Sequence, residues 1–393
     1  MREVSEIGAL ARPRAVLVVA LAALIALTAL VAAPGADAKP KQKKAVAVKL
    51  MTRNIFLGAD LTPALNSTSF EEFVRANGAI LREVDQTDFP RRAIGLAREI
   101  KQTKPDLIGL QEAAWWRTNP TAGGPAQGPD GQFTATTDKY NFLQILLDAL
   151  EDRGLNYEVG VEKVEFDFEA PADYDNNPNT GQLFGGEIQG RLTMRDVILV
   201  NEDSRVNAKL KNPQSGTYSS LFTPTIANIP VPVTRGWTAG DVTVKKGKGK
   251  KEVKRKFRFV NTHFEAFDDE TQRPSIRAQQ ATEAVNGPAS KKRTIMLGDF
   301  NSDVPGVKPG DEQAFQVILD AGFKRRATDD PLSCCVSNLF TSPRSEFDHQ
   351  VDHIVSNMGK KAKLISSSVT GLKRVNGIYD SDHAGVVSKL KLK

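Results

Sequence analysis

The hydrophobic and polar positions of the chain alternate with a period of two in several short segments and recur with helical spacing in others. Residues 45–53 alternate and predict a strand, whereas Ala93, Leu96, Ala97 and Ile100 lie at the spacing of one helix face. The other predicted strands cover residues 107–110, 157–161, 197–200, 241–244, 257–261, 294–297, 351–355 and 384–390. The other predicted helices cover residues 70–81, 142–149, 273–285 and 312–320. Strands in runs with interspersed helices predict one α/β domain of two packed sheets flanked by helices.

Three polar stretches interrupt these elements. Residues 117–136 are rich in Gly, Pro and Thr and predict a surface loop, and residues 166–190 predict a polar insertion. The run KKGKGKKEVKRK over residues 245–256 lies between two predicted strands and predicts a connection of the hairpin type. We therefore expect its lysines at a solvated tip.

The N-terminus has the parts of a secretory signal. Arg12 and Arg14 precede an uncharged run over residues 15–33, and residues 36–38 read Ala-Asp-Ala. Because the uncharged run is 19 residues long, close to a membrane-spanning length, an uncleaved anchor stays open as an alternative. In either case the folded domain is expected outside the cytoplasm, secreted or anchored. The predicted organisation is a signal peptide over 1–38, a Lys-rich tail over 39–44 and one domain over 45–393.

The small number of cysteines limits how the fold can be stabilised. The chain has 2 Cys, the adjacent Cys334 and Cys335, which cannot form a disulfide framework. A hydrophobic core must therefore hold the fold. A vicinal disulfide stays open, but two free loop cysteines are the expected state.

The charge distribution argues against a surface built for nucleic acid, although the formal net charge is +6. Residues 39–44 and 245–256 together carry a net charge of +11. Because the net charge of the whole chain is +6, the remaining residues carry about −5. Proteins that bind nucleic acid without sequence preference spread Lys and Arg over the contact face. This pattern disfavours a non-specific nuclease without excluding it.

Polar side chains of the types used in metal-assisted hydrolysis end five predicted strands and begin another. The segments are TRN over 52–54, LQE over 110–112, NTH over 261–263, GDFN over 298–301, SDH over 381–383 and, at a strand start, QVDH over 350–353. Loops at strand ends are a usual place for catalytic groups. Carboxylates, amides and imidazoles can bind a hard cation, orient water and move protons. Because the chain has no paired Cys and His ligands, Mg²⁺ or Mn²⁺ is favoured over Zn²⁺.

This ordered set of motifs resembles the endonuclease/exonuclease/phosphatase superfamily, which includes pancreatic-type deoxyribonucleases, repair exonucleases, bacterial sphingomyelinases and inositol-polyphosphate phosphatases. The resemblance covers residues 45–390 and is specific because the motifs keep the family's order, whereas GDFN alone would occur by chance. It implies an α/β fold, a four-layer α/β/β/α sandwich of two packed mixed sheets flanked by helices. It also implies a metal-dependent phosphoric ester hydrolase with its site at one end of the sandwich.

The resemblance implies a metal site for Mg²⁺ or Mn²⁺. Glu112 is the expected principal ligand, with Asn54 beside it. Asp382 is expected next to the metal.

The resemblance also implies the catalytic groups. Asp299 and Asn301 are expected to orient or deprotonate the attacking water and to contact the phosphate. His383, polarised by Asp352, is expected to act as a base or to hold a phosphoryl oxygen. His263 is expected to donate a hydrogen bond to the phosphoryl oxygen or the leaving group.

Other polar and aromatic residues near these motifs have simpler interpretations. His353 follows Asp352 in a strand and should face the other side, so we expect a structural role. His349 has no motif and is expected at the surface. Trp115 and Trp116 are expected to pack in the core or at the rim, with a substrate wall as the alternative.

Three charged residues at predicted strand starts leave two interpretations open. Arg195, Asp196 and Arg235 lie where the superfamily often places an arginine that faces the phosphate. Surface ion pairs are an equal alternative for each of them.

The substrate stays open among several phosphoesters, with a nucleic acid or a phospholipid headgroup as the expected partner. A sphingomyelinase-like enzyme needs an apolar rim for peripheral membrane contact, for which the candidates are Phe166, Phe168, Leu183 and Phe184. A phosphoinositide phosphatase needs basic residues at the site, for which the candidates are Arg191, Arg195 and Arg235. A non-catalytic binding module and an anchored protein that binds anionic polymers are the remaining alternatives. No obligate protein partner is inferred.

Overall fold

The computed structural model describes residues 44–120, 132–181, 184–268, 272–306, 312–327 and 332–393. The predicted signal peptide and residues 39–43 of the tail lie outside these ranges. Within the described ranges, no helix is both long enough and apolar enough to cross a membrane.

Six helices and sixteen strands are found in the described part of the chain. The helices are α1 (Thr62–Leu65), α2 (Phe70–Gln86), α3 (Phe89–Thr103), α4 (Phe142–Glu151), α5 (Ile276–Asn286) and α6 (Gln313–Asp320). The strands are β1 (Val46–Asn54), β2 (Leu107–Gln111), β3 (Trp115–Asn119), β4 (Thr137–Asn141), β5 (Tyr157–Ala172), β6 (Ile188–Asn201), β7 (Lys209–Thr217), β8 (Thr225–Ile226), β9 (Ile229–Pro230), β10 (Gly236–Lys246), β11 (Val253–His263), β12 (Thr294–Asp299), β13 (Lys324–Arg325), β14 (Asp352–Ser356), β15 (Ala362–Thr370) and β16 (Gly385–Leu392).

Two mixed sheets contain most of these strands. The first sheet has the order β15-β16-β1-β2-β6-β3-β4, and β5 also pairs with β6. The second sheet has the order β13-β14-β12-β11-β10-β7. The pairs β1–β2 and β11–β12 are parallel, so the C-terminal ends of β1 and β2 share one edge, as do those of β11 and β12.

Three hydrophobic clusters hold the two sheets and the flanking helices together. The cluster between the sheets joins Leu50 and Ile198 of the first sheet to Phe259 and Leu297 of the second. A second cluster packs α2, α3 and α4 on the outer face of the first sheet. A third packs α5 and α6 on the outer face of the second sheet. This arrangement confirms the predicted four-layer α/β/β/α sandwich.

The helices begin where the sequence provides capping groups. The Ser69 side chain accepts a hydrogen bond from the Glu72 backbone N–H at the start of α2, and Ser275 does the same for Ala278 in α5. The caps and the apolar faces explain why the predicted helices are found close to their expected bounds.

The Lys-rich run lies at the predicted hairpin. Strands β10 and β11 pair antiparallel from Gly236 and His263 to Lys246 and Val253. The connection is therefore residues 247–252, and the other lysines of the run belong to the two strands.

The predicted loops over 117–136 and 166–190 were too long. Residues 117–119 belong to β3, and β5 and β6 extend to Ala172 and back from Ile188, which leaves 173–187 as the connection. The alternation of Val164, Phe166 and Phe168 with acidic residues is a strand pattern. Phe166 and Phe168 are partly buried and pack against the core, whereas Val164 is 44% exposed.

The expectation of two free cysteines was wrong, since Cys334 and Cys335 form a vicinal disulfide. Backbone bonds tie this turn to two other loops: the His349 N–H donates to the Cys334 carbonyl at 2.9 Å, and the Val336 N–H donates to the Asp382 carbonyl at 3.0 Å. These contacts join residues distant in sequence, and so local sequence cannot predict how the two thiols are held.

Candidate active site

Strand register brings the predicted site residues to one edge of the two sheets. Across β11, β12 and β14, His263 is paired with Asp299 and Asp299 with Asp352. In the first sheet, Asn54 is paired with Gln111, which directly precedes Glu112. The C-terminal ends of four strands, the start of β14 and the loop before β16 thus supply one cluster. The expected strand end at residues 381–383 was wrong, since these residues precede β16.

Asp299 lies at the centre of this cluster. Its Oδ2 is 3.6 Å from Nε2 of His263 and 3.6 Å from Nε2 of His383. The Asn54 side-chain amide donates to the same oxygen at 3.1 Å, and the Asn301 backbone N–H donates to Oδ1 at 2.9 Å. Burial raises the pKa of Asp299 to about 7, although the charge of His383 opposes this effect.

His383 forms a buried pair with Asp352, as predicted from the resemblance. Nδ1 of His383 lies 2.9 Å from Oδ2 of Asp352. Burial by itself would lower the pKa of His383, but the charges of Asp352 and Asp299 outweigh it and raise the pKa well above its ordinary value. The imidazole is therefore held as a cation whose Nε2 lies 3.6 Å from Oδ2 of Asp299.

His263 is held in the opposite charge state. Burial lowers the pKa of His263 well below its ordinary value, and the charge of Arg235 lowers it further. An Arg235 guanidinium N–H donates to Nδ1 of His263 at 3.3 Å, which assigns the imidazole proton to Nε2. Nε2 of each histidine lies 3.6 Å from the Asp299 carboxylate.

Glu112 and Asp382 form an acidic pair in the wall of a cleft beside Asp299. The Glu112 oxygens accept hydrogen bonds from the Asn54 amide at 2.9 Å and the Leu57 backbone N–H at 2.7 Å. Burial raises the pKa of Asp382 to about 6, and the charge of Glu112 adds to the increase. Two carboxylates that repel each other in a cleft, with oxygen donors throughout, fit a hard divalent cation.

The two predicted amide residues have distinct positions. Asn54 bridges Glu112 and Asp299 with its N–H group, and its side-chain oxygen accepts from the Phe56 backbone N–H at 2.9 Å. Asn301 donates its side-chain amide to the Phe264 carbonyl at 3.0 Å. In this geometry Asn54 orients the carboxylates, and its role as a direct metal ligand stays a prediction.

The backbone is strained at two of the predicted site residues. Glu112 has φ of 59° and Asn301 has φ of 45°, both in the left-handed region that non-glycine residues seldom adopt. Such strain persists where the surrounding structure imposes it, often at functional positions.

The sequence matches the Endonuclease/Exonuclease/phosphatase family over residues 74–383. The chain belongs to this family. Members of the family are hydrolytic phosphoesterases that generally depend on a divalent metal, so the chain is a phosphoric ester hydrolase. The match includes all the predicted site residues except Asn54.

One solved structure with a TM-score above 0.5 supports the same fold, and others with lower TM-scores are also similar to the chain. A protein of the Endonuclease/Exonuclease/phosphatase family from Bacteroides thetaiotaomicron is 13% identical, with 89% of this chain and 99% of that chain covered and a TM-score of 0.51. A mannosyl-6-phosphatase from the same organism is 15% identical, with 87% and 99% covered and a TM-score of 0.47. The human Nocturnin catalytic domain with bound sulfate is 13% identical, with 88% and 94% covered and a TM-score of 0.46. A search of curated proteins gives no match.

The two histidines that were expected to lie outside the catalytic group have different surroundings. His353 packs between Phe300 and Phe315 and bonds to the Ser302 carbonyl at 2.9 Å, which fits a structural role. His349 is half-buried, and its Nδ1 lies 2.6 Å from Asp303.

The two tryptophans differ in exposure. Trp116 is buried and donates from Nε1 to the Leu57 carbonyl at 2.7 Å. Trp115 is half-buried under the guanidinium groups of Arg117 and Arg195. These contacts confirm packing for Trp116 and place Trp115 at the rim.

The surface ion pairs considered for Arg195, Asp196 and Arg235 were wrong, because all three residues are buried. Arg195 donates to the Ala113 carbonyl, and Arg235 pairs with Glu265 at 3.4 Å beside His263. Arg195 and Asp196 lie on β6 and Arg235 directly precedes β10, and the local sequence pattern does not reveal that they are buried.

The sequence analysis missed two buried arginines that position the site. Arg53 donates to the His383 carbonyl and pairs with Glu99 at 3.0 Å. Arg92 donates to the Ile55 carbonyl at 2.8 Å and to the Asp380 carbonyl at 3.2 Å. Both bind backbone oxygens beside catalytic residues, and a charged residue in an otherwise apolar pattern is the only signal that could have identified them.

Two residues of the predicted motifs serve the fold. Gln111 donates to Asn261 at 2.6 Å, and Asn261 donates to the Leu110 carbonyl at 3.1 Å. This polar bridge between the sheets fixes Glu112 relative to His263, since each follows one of the bridging strands.

The disulfide adjoins the catalytic histidine. Sγ of Cys335 lies 3.5 Å from Nε2 of His383, on the side of the imidazole that also approaches Asp299. The motif search did not identify Cys335, because its closeness to His383 depends on the tertiary fold.

Proposed function

We propose that this chain is a secreted, Mg²⁺-dependent phosphodiesterase that hydrolyses the phosphodiester of a phospholipid headgroup. The observation that carries the proposal is the position of Glu112 and Asp382 in the wall of an apolar cleft of about 730 Å³. The Asn54 amide links Glu112 to Asp299, and Asp299 lies 3.6 Å from both histidines.

Glu112 and Asp382 would hold the divalent cation, and Asn54 would orient the carboxylates on this side of the site. When bound, Mg²⁺ would polarise the phosphoryl group and neutralise charge on its oxygens. The all-oxygen donor set supports Mg²⁺ or Mn²⁺ over softer metals.

The side chains of the chain supply the proton transfers. Asp299 is placed to orient water and accept its proton as the new bond from oxygen to phosphorus forms. The imidazolium of His383 donates its proton to the leaving oxygen as the old phosphorus–oxygen bond breaks, and the Nε2–H of His263 bonds to a phosphoryl oxygen. Since Oδ2 of Asp299 is 3.6 Å from Nε2 of His383, the proton can return and reset the pair.

The cleft wall favours an amphiphilic substrate. Its apolar residues include Leu57, Leu61, Phe166, Leu192, Met194, Val233, Phe267, Leu339 and Phe340. The cations among its described residues are Arg82 and Arg235, and both are engaged: Arg82 with the carbonyls of Asp173 and Tyr174, and Arg235 with Glu265. A series of free cations for successive phosphates of a nucleic acid is therefore not found in the described wall.

The apolar rim is smaller than the sequence analysis expected. Phe166 and Phe168 pack against the core, and Leu183 lies outside the described residues. Phe184 is 49% exposed and packs edge-on against Phe70, which is 38% exposed. This exposed pair, together with Phe340, supports contact with a membrane surface.

The proposal is tested with the purified chain in Mg²⁺. We expect release of the phosphorylated headgroup from phosphatidylcholine or sphingomyelin vesicles, loss of that activity in His383→Ala, and little nicking of plasmid DNA. Nicking of DNA without vesicle hydrolysis, abolished in the same variant, would instead identify a nuclease.

A matched pair of variants tests the cleft. Phe340→Gln should lower kcat/KM on vesicles about tenfold through lost apolar contact and leave hydrolysis of a small soluble diester unchanged. Ile365→Gln removes a side chain that is 50% exposed on β15 and does not line the cleft, so it should change neither rate. Equal effects of the two substitutions on vesicles would contradict a role for the cleft.

Secretion rests on the N-terminal sequence. Mass spectrometry of the protein recovered from the medium of an expressing bacterium should give a chain beginning at Lys39. A chain that keeps Met1 and stays in the membrane fraction would indicate the anchor instead.

A further inference from the structure

Two buried carboxyl groups lie between the sheets beside the active site without a hydrogen-bond partner. Glu165 of β5 and Asp196 of β6 are 2% and 0% exposed. The β5–β6 register pairs Lys163 with Asp196 and shifts between Val164 and Phe166, which places Glu165 in an irregularity next to Asp196. Within the described residues, none of the four carboxyl oxygens has a hydrogen-bond partner.

The neighbouring cations do not satisfy this pair. Arg235 acts on both carboxyl groups but is bonded to Glu265 and His263, and Lys163, whose charge also acts on Glu165, donates to the Val164 carbonyl. Burial, followed by the charge of Glu165, raises the pKa of Asp196 well above its ordinary value. Buried polar groups are normally hydrogen-bonded, and buried charges are paired or coordinate a metal.

Glycine at position 236 allows two backbone segments to approach closely beside Glu165. A Cβ added to Gly236 would lie 2.1 Å from the Gly216 carbonyl oxygen and 3.1 Å from Oε2 of Glu165. The Gly216 carbonyl and the Glu165 carboxyl group therefore both lie close to the Gly236 backbone. Together with the Asp196 carboxyl group, they supply oxygen donors of the kind that hard divalent cations bind.

We propose that Glu165 and Asp196 hold a second divalent cation, at an interior site distinct from the Glu112–Asp382 pair. The charges of Glu112 and Asp299 act on Asp196, so the interior site adjoins the catalytic carboxylates. A cation there would displace the protons of the two buried carboxyl groups and fix β5 against β6. This proposal concerns only the binding of a cation, so it does not depend on the substrate proposed above.

Equilibrium dialysis of the purified full chain against Mn²⁺ measures the number of sites. The wild-type protein should bind two Mn²⁺, and Glu165→Gln/Asp196→Asn should bind one. Glu112→Gln should also bind one, because it removes the other site. A wild-type protein that binds no more Mn²⁺ than the double variant would overturn the proposal.

A buried carboxylate on the same strand provides the matched control. Glu169 is 3% exposed, and its oxygens accept from Thr134 and from the Ala135 backbone N–H at 2.8 Å. Because this carboxylate is already satisfied, Glu169→Gln should still bind two Mn²⁺. Loss of a bound Mn²⁺ in Glu169→Gln would show that the number of bound ions reflects damage to the fold.

A second measurement needs no variant. Crystals of the wild-type chain soaked in Mn²⁺ should give an anomalous scattering peak between Glu165 and Asp196 in addition to one at Glu112 and Asp382. A peak at the second pair alone would mean that the interior carboxyls share a proton and hold no metal. Either result is independent of whether the chain hydrolyses phospholipid, since no substrate is present.

Discussion

Individual residues acquire their chemistry here from buried neighbours. His263 and His383 have the same side chain and lie near the same carboxylate, but burial and the charge of Arg235 keep the first neutral, whereas the charges of Asp352 and Asp299 keep the second protonated. Environments that hold two like groups in different protonation states are typical of acid–base sites. The roles of the two histidines in the proposed mechanism follow from this difference.

Asp352→Asn should lower kcat about 10²- to 10³-fold with little change in melting temperature. The substitution keeps the size of the side chain but removes the charge that outweighs the desolvation of His383. Asp348→Asn, four residues earlier and 47% exposed at the side chain, is the control and should keep its kcat. A kcat for Asp352→Asn within threefold of the wild type would show that the pair has no catalytic role.

His353 should make stability depend on pH. Burial lowers the pKa of His353 to about 4, so the unfolded chain takes up a proton below about pH 6.5 that the folded chain refuses. The folded state therefore loses stability as pH falls from about 6.5 toward 4. Relative to His353→Gln, which cannot titrate, the wild type should lose about 2 kcal/mol of unfolding free energy between pH 7 and pH 5. Urea denaturation of both proteins measures this, and a constant difference across that range would contradict it.

At the scale of elements, strand register and close sheet packing place the side chains. One register aligns His263, Asp299 and Asp352 across three strands, and a single-residue slip would turn their side chains to the other face. Gly109 of β2 lies against the second sheet, where a Cβ would lie 2.2 Å from Leu297 and 2.4 Å from Oδ1 of Asn261. The bridge from Gln111 to Asn261 depends on this close approach.

Gly109→Ala should destabilise the fold by about 1–3 kcal/mol, because the added methyl group overpacks the interface between the sheets. It should also lower activity, since the shift moves Glu112 relative to His263. Gly160→Ala in β5 adds a methyl group 3.0 Å from a Val200 side-chain atom and should cost less. Chemical denaturation of both variants compares them, and equal losses would mean that the close approach at Gly109 is unimportant.

At the scale of the whole molecule, the two sheets concentrate acidic groups at one end. Glu112 and Asp382 lie in the cleft wall, and Glu165 and Asp196 lie behind it. Burial of these carboxyl groups without a cation opposes folding. The metal is therefore expected to contribute to stability as well as to catalysis.

Mg²⁺ at about 100 times its dissociation constant should raise unfolding free energy by about 2.7 kcal/mol per site, and the melting temperature by several degrees. Chelator should reverse the increase, and Glu112→Gln should show a smaller one. Differential scanning calorimetry measures the shift, and an unchanged wild-type melting temperature would contradict metal binding in the folded state.

The sequence by itself determined the helices, most central strands and the positions of the catalytic motifs. These features depend on local periodicity, capping residues and polar groups at strand ends, all of which lie within short windows. The sequence pattern placed Asp299 and His383 at strand ends, and the resemblance assigned them to one site.

Only the tertiary structure decided the pairing of Arg235 with His263, the burial of Asp196 and the disulfide beside His383. It also decided that residues 166–172 belong to β5. Each of these features depends on contacts between residues that the chain brings together from distant positions. Burial and charge act through space, so their effect on a side chain is set by the packed layers and has no local sequence signal.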